Sequence, residues 1–373
     1  MRLGATRIED KVWQPRVSSI PMAVWVTLGA CLWAPKAHGE RRTSAPAIKR
    51  CPKTLDFGLR YLREKHRLAR ACRIARRCPL RGLTVVGVPE STLAVRKLMR
   101  CPRRRVHLDL TSYADGDDRS LLLLMRSARG LRGINLHRSS STGRFLRDAK
   151  RLPPLRFLRI VQGPFELSPA IGRLKNLESF MRHGRLLLPD GRKVLHRPRL
   201  TFFAALGRLR RLQRVHLSAL APQTVTRDAL MALGRAPRLR SLTLWGTFAK
   251  GACAGFGGKV GTKRRRFAQL EHLDLIRQAF DRSCLRQIAS LPKLKYLRIG
   301  FSSIGDGGLG SLAHAPALQH LVLDQTKSKT PLLQVLPRLK RLKKVSVAHG
   351  QLSWPLRDAL KQQGVPIHVL PRN

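Results

Sequence analysis

Carboxylates are what this chain has least of. Its 373 residues carry 21 Asp and Glu against 74 Lys and Arg, a formal net charge of +53. No paired carboxylates, nucleophile elbow or zinc-protease helix is present, so the usual machinery of hydrolysis is missing. A Ser/His/Asp set can be assembled from scattered residues, but nothing singles one out. Cysteine is sparse at seven, with no C-x-x-C or Cys/His cluster at zinc-ligand spacing. Gly258-Lys259 fails as a phosphate cradle. Cys253 stands where a P-loop needs Gly, and Val260 follows where it needs Ser or Thr. These absences argue against an enzyme, a cofactor, a metal and a small-molecule substrate.

Long apolar runs are also few, and one has a clear meaning. Arg2, Arg7, Lys11 and Arg16 make a basic leader, diluted by Glu9 and Asp10. Residues 20–34 then read IPMAVWVTLGACLWA, and Ala37-His38-Gly39 offers small residues at a cleavage site. That order is a secretory signal peptide over 1–39. A run starting at Val17 could instead serve as a membrane anchor. Leu28-Gly29-Ala30-Cys31 also has the form of a lipobox, with Cys31 acylated. All three alternatives export the rest of the chain to the periplasm, the cell surface or the medium. Without Cys31, six cysteines remain, four of them within 51–101. In an oxidising compartment these read as a stapled N-terminal helical cap over 40–79, with Leu55, Leu59, Leu62 and Cys72 on its buried stripe. The alternative is buried free thiols.

The organising feature lies further on. Leu270-x-x-Leu273-x-Leu275, Leu294-x-x-Leu297-x-Ile299, Leu318-x-x-Leu321-x-Leu323 and Leu342-x-x-Val345-x-Val347 recur at a step of 24 residues. A fixed period of this size marks a solenoid. Less tidy copies precede it at Leu80-Leu83-Val85, Arg105-Leu108-Leu110, Leu131-Ile134-Leu136, Leu155-Leu158-Ile160, Leu177-Phe180, Leu212-Val215-Leu217 and Leu239-Leu242-Leu244. A last one spans Gly364, Ile367 and Val369. Insertions interrupt the period near 184–199 and 248–266. The first holds Pro189-Asp190-Gly191, a hairpin signal, and the second is a Gly-rich, flexible, basic loop. Return segments starting at Thr226, Ser283 and Asp306 open on helix-capping residues, and Pro237, Pro292 and Pro316 close them.

The stretch from Gly300 to Thr326 resembles the bacterial leucine-rich repeat written L-x-x-L-x-L-x-x-T-x-I-x-D-x-G-L-x-x-L. The resemblance is strong over 270–347, fair over 200–269 and weak over 80–180. It implies an α/β leucine-rich repeat solenoid over 80–373. A curved parallel sheet would line the concave side and short helices the convex side, in about twelve irregular repeats. It also implies protein recognition, without naming a ligand. Thr247, Ser302 and Thr326 stand where many members place Asn. Gln278 and Gly350 depart from that pattern, so their turns are expected to be less regular.

Residues alternating with the buried Leu should face the concave side. They include His107, Asp109, Asn135, His137, Met181, His183, Arg214 and His368, with a proposed partner-binding set of Phe157, Arg159, His216, Trp245, His272, Asp274, Tyr296, Arg298, His320 and Asp324. Phe157, Trp245 and Tyr296 are the candidate anchors. This face is nearly charge-balanced, and seven of the twelve His fall on it. Such a face should change charge between about pH 5 and 8. His272 and His320, two strands and roughly 10 Å apart, are too distant for shared metal coordination.

Two functions follow. The first is a non-enzymatic scaffold outside the cytoplasm that binds an unidentified protein on its concave face. The second is a polyanion binder for anionic polysaccharide, lipid head groups at a membrane surface, or nucleic acid. It would use Arg103, Arg104 and Arg105, then Lys263, Arg264, Arg265 and Arg266, and finally Lys340, Arg341, Lys343 and Lys344. Of the 74 basic residues 54 are Arg, spread along the whole chain, which a compositional bias would also produce. No aromatics interleave with the basic runs, so base stacking is not expected there.

Overall fold

The computed structural model describes residues 54–58, 69, 72–73, 82–86, 106–111, 118–127, 131–137, 139–148, 153–187, 192–257, 259–260, 264–328, 335, 338–339, 341–348, 354–362 and 364–370. Residues 50–371 form one compact unit. Thirteen strands make one sheet in strict chain order. They are β1 (Thr54–Gly58), β2 (Gly82–Val86), β3 (Val106–Thr111), β4 (Leu131–His137), β5 (Phe157–Val161), β6 (Ser179–His183), β7 (Arg214–Leu217), β8 (Ser241–Trp245), β9 (His272–Ile276), β10 (Tyr296–Gly300), β11 (His320–Asp324), β12 (Lys344–Ala348) and β13 (Ile367–Leu370).

Every neighbouring pair in this sheet is parallel. The repeat explains why. Each L-x-x-L-x-L segment supplies two apolar residues of one face, and stacking sets them side by side. Leu273, Leu297, Leu321 and Val345 form one row, and Leu275, Ile299, Leu323 and Val347 the next. All eight are 5% exposed or less, so each repeat closes its core only against its neighbours.

Short helices return the chain between strands: α1 (Asp118–Ser127), α2 (Arg144–Asp148), α3 (Leu200–Gly207), α4 (Arg227–Leu233), α5 (Arg282–Ala289) and α6 (Trp354–Gln362). Thr226 caps α4, its hydroxyl oxygen accepting from the Ala229 N–H at 3.1 Å. α5 is capped by Asp281, whose carboxylate accepts from the Cys284 N–H at 2.6 Å, and not by Ser283, which donates to that same carboxylate. Leu309–His314 is a 3-10 turn that starts after Gly308, so the return segment expected from Asp306 is not an α-helix.

The N-terminal cap needs correction. The helical stripe does not begin at Leu55, because Thr54–Gly58 is a strand that pairs in register with β2, Leu55 beside Leu83 and Phe57 beside Val85. The sheet therefore begins one strand earlier than the repeat pattern indicates. Further along the expected cap Ala69, Cys72 and Arg73 are helical, and Cys72 packs against the core. The leader, Leu59, Leu62 and the basic run 103–105 lie outside the described residues.

Both insertions hold antiparallel ladders. Leu186–Leu187 pairs with Lys193–Val194, as the Pro-Asp-Gly signal predicts. The Gly-rich segment is no free loop. It forms a 3-10 turn at Ala252–Gly255 and a short ladder of Lys259–Val260 with Arg264–Arg265. Phe256 and Phe267 bury their rings beneath it with centroids 5.4 Å apart, and a Cys253–Cys284 disulfide ties it to α5. Cys72 is disulfide-bonded as well. Gly255 is required by close approach, since a Cβ there would lie 2.6 Å from the Arg227 carbonyl oxygen.

The turns after β9 to β11 run through left-handed residues spaced one repeat apart, Arg277, Phe301 and Gln325. Buried polar side chains brace them. Ser302 donates to the Gly300 carbonyl at 2.6 Å and Thr326 to the Ile299 carbonyl at 2.7 Å. Gln278 does the same work despite departing from the pattern. Its amide donates to the Ile276 carbonyl at 3.4 Å and accepts from the Phe248 N–H at 2.8 Å, so this turn is regular. Gly350 lies outside the described residues.

The concave strand face as candidate binding site

Strand alternation puts one residue in two on the side opposite the core, and the parallel register lines these residues up across the sheet. One row runs Phe157, Ser179, Arg214, Ser241, His272, Tyr296, His320, Lys344. A second runs Arg159, Met181, His216, Thr243, Asp274, Arg298, Val322, Ser346. Trp245, Ile276, Gly300 and Asp324 belong to a third. All ten proposed partner-contacting residues therefore fall on one face, where they form two groups rather than one patch.

The first group lies over β5–β8. The Arg214 guanidinium sits 6.0 Å from the Phe157 ring centre. His183 packs against His216 and Trp245 at centroid distances of 5.8 and 6.4 Å. Arg277 reaches over Trp245 at 5.8 Å, a contact with no sign in the sequence. Basic and aromatic side chains thus do interleave here, across strands, although not within the basic runs. Ser218 braces this group. Its oxygen accepts from the Gly184 N–H at 2.9 Å and lies within hydrogen-bond distance of His183 Nδ1, at 3.3 Å. Burial depresses His216 to about 4, helped by His183 and Arg159, and burial with Arg159 and Arg182 also lowers His183. His216 therefore stays neutral over pH 5 to 8 and His183 is biased the same way, against the expectation that this face changes charge through these two imidazoles.

The second group lies over β9–β12. Tyr296 stands between His272 and His320, at 5.7 and 6.4 Å. Arg298 bridges two carboxylates, Asp324 at 2.7 Å and Asp274 at 3.8 Å. For Arg298, burial works against the charge, and the Asp324 bond with both carboxylates more than offsets it. Asp274 is the less well-held partner. Burial raises it to about 6, Arg298 opposes the rise and Asp324 adds to it, and Oδ1 has no hydrogen-bond partner. Asp274, a carboxylate, therefore changes charge near pH 6 on this face. A cavity of about 270 Å³ opens beside it, lined by Tyr296, Arg298, His320, Val322, Lys344, Ser346 and Leu370. Among the described residues, no group of three or more His, Cys, Asp or Glu could hold a metal ion.

The basic runs are more dispersed. Arg264 and Arg265 form a ladder strand, while Arg266 is half-buried and donates to the Gly257 carbonyl at 3.3 Å. Arg341 and Lys343 are exposed, and Lys344 belongs to the concave cavity. Lys263 and Lys340 lie outside the described residues. One basic residue has gone the other way. Arg182 fills a core slot on β6 at 0% exposure. Its guanidinium donates to the carbonyls of Gly163 at 2.8 Å, His183 at 2.8 Å and Arg185 at 3.3 Å. Burial lowers it to about 10, and its charge joins burial in holding the neighbouring His196 near 4.

No protein-family model matches the chain, and no curated protein sequence does. Solved structures do. The chain is similar to an internalin (inlF) from Listeria monocytogenes str. 4b F2365, at 15% identity over 78% of this chain and 67% of that one, with a TM-score of 0.44. It is similar to the chain in a TLR13–ssRNA13 complex, at 18% identity over 79% of this chain and 40% of that one, with a TM-score of 0.50. A TDR receptor matches at 15% identity over 80% and 48%, with a TM-score of 0.45. The chain spans less than half the length of the last two. Such identities speak to fold alone, and the TLR13 likeness agrees with the 24-residue period and the parallel sheet. The fold is an α/β leucine-rich repeat solenoid.

Proposed function

We propose that this protein is a non-enzymatic interaction scaffold that acts outside the cytoplasm and binds a protein partner across its concave face. The observation that carries this reading is the gathering of Trp245, Phe157, Tyr296, four His and Arg159, Arg214 and Arg298 on one side of the sheet. Aromatic and Arg side chains in partly buried settings are the groups that dominate interface energetics. Export is supported by the signal-like leader and by a disulfide at Cys253–Cys284, which persists in oxidising compartments. Among the described residues no helix is long and apolar enough to cross a membrane.

The net charge of +53 favours a second reading, polyanion binding through dispersed Arg and Lys. Salt separates the two. A binder that neutralises six to ten phosphates loses about 10³ to 10⁵ in affinity between 50 and 200 mM salt. The test is retention of envelope proteins and of heparin by the mature chain and its Trp245→Ala variant at low and high salt. A discrete protein held at high salt and lost with Trp245 is the expected result. Heparin binding alone, indifferent to Trp245 and abolished by salt, refutes the scaffold.

A further inference from the structure

The near charge balance of the concave face holds only when its two halves are added together. Strands β5–β8 place no carboxylate on it. They present Arg159 and Arg214, both exposed, and Arg277 overhangs their far edge at Trp245. None of these three guanidinium groups has an acidic partner among the described residues. Arg298, two strands beyond Trp245, has two. The guanidinium groups without a carboxylate are therefore confined to one half of the face.

We infer that the β5–β8 half of the concave face takes an acidic segment of a partner protein, its carboxylates on Arg159 and Arg214 and an adjacent apolar side chain against Trp245. The inference rests on the scaffold reading and adds the partner's chemistry. Charge complementarity is the first support, since this half offers cations and nothing to repel an anion. Spacing is the second. Arg159 and Arg214 stand two strands apart, on β5 and β7, and are offset by two residues along the sheet, roughly 12 Å in all. That matches residues i and i+4 on one side of an extended chain at about 3.3 Å per residue. What lies between them is the third. Ser179 and Met181 of β6 separate the two cations and the neutral His216 flanks them, an uncharged surface suited to discrete carboxylates on an extended chain. A continuous phosphate backbone calls instead for an uninterrupted cationic groove and for ring faces free to stack on bases. Here Arg214 lies 6.0 Å from the Phe157 ring centre and Arg277 5.8 Å from that of Trp245, so neither ring is a bare platform for successive bases.

The test is selection of a phage-displayed random 12-residue peptide library on the full chain at about 300 mM salt, which mutes the bulk charge. Parallel selections use Arg159→Gln/Arg214→Gln, the charge-matched Arg235→Gln/Arg286→Gln at exposed positions in the return segments, and Trp245→Ala. The enriched peptides are then titrated by fluorescence anisotropy, with oligouridine as a competitor. Peptides with Asp or Glu four residues apart are expected. They should weaken about tenfold or more on Arg159→Gln/Arg214→Gln and about twofold or less on the charge-matched pair. Equal loss on both pairs overturns the inference in favour of bulk charge. Neutral peptides that still need Trp245 overturn the acidic preference and leave the scaffold standing. Oligouridine that outcompetes every peptide and depends on Arg159 and Arg214 makes the occupant a nucleic acid. A library with no Trp245-dependent binder counts against the scaffold itself.

Discussion

Replacing Asp274 with Asn should make the protein more stable at neutral pH and leave it nearly unchanged in acid. The carboxylate is raised from 3.8 to about 6, by burial first, with Asp324 adding and Arg298 opposing. Between those two values the native state keeps a proton that the unfolded chain has released. Stability therefore falls as pH rises through this window, and the whole penalty stands above about pH 6. A rise of about two units at 1.36 kcal/mol each gives about 3 kcal/mol. The opposing pull of Arg298 is already inside that figure, because the raised value is what remains after it. Asn keeps the shape without a charge to bury. The assay is urea unfolding of parent and variant at pH 4 and pH 7.5. The two should nearly coincide at pH 4 and separate by up to about 3 kcal/mol at pH 7.5, with the variant ahead. A variant less stable than the parent at pH 7.5, or a difference flat in pH, would show Asp274 ionised in a favourable pair with Arg298 and refute the reasoning. A confirmed penalty would mark Asp274 as a residue held on the binding face at a cost to the fold.

Serine at both Cys253 and Cys284 removes a cross-link that closes 31 residues. The chain-entropy account gives about 3 to 4 kcal/mol for a loop of this size, read as a lower urea midpoint in non-reducing buffer. Arg182→Met leaves the Gly163, His183 and Arg185 carbonyls without their buried donor. Each bare buried acceptor costs about 1 to 3 kcal/mol, so this variant should be strongly destabilised. Should it fold, NMR should find the His196 imidazole, now near 4, moved up towards the ordinary range once the adjacent cation is gone.

The strand register was legible because the core is made of the same few apolar positions every 24 residues, and the period survives even where Arg105 or a missing third Leu blurs one copy. The first strand was not. Thr54–Gly58 carries only Leu55 and Phe57 of the pattern, and Leu55 reads equally well as the start of a helical stripe. Arg182 sits where the period calls for an apolar residue. Its position in the third slot after Leu177 and Phe180 was the available signal that a charge is buried there. The Gly-rich insertion was misread as flexible because its order comes from Phe256, Phe267 and a cysteine 31 residues away, none of it local. Membership of the concave face followed from alternation alone. Its division into two halves did not, since that depends on which strands become neighbours across the insertions and on Arg277 turning back over Trp245.

The Cys253–Cys284 bond has a mechanical consequence. A stack in which each repeat touches only its neighbours yields under tension one repeat at a time, from whichever end is pulled. The bond joins the insertion after β8 to the helix after β9, bridging two successive repeats. Force arriving from either terminus passes through the sulfurs and bypasses the 31 residues between them. At about 3.4 Å per residue, roughly 100 Å of chain can never be paid out while the bond holds. The stretch thus shielded contains His272, Asp274 and Arg277, and so the junction between the two halves of the concave face.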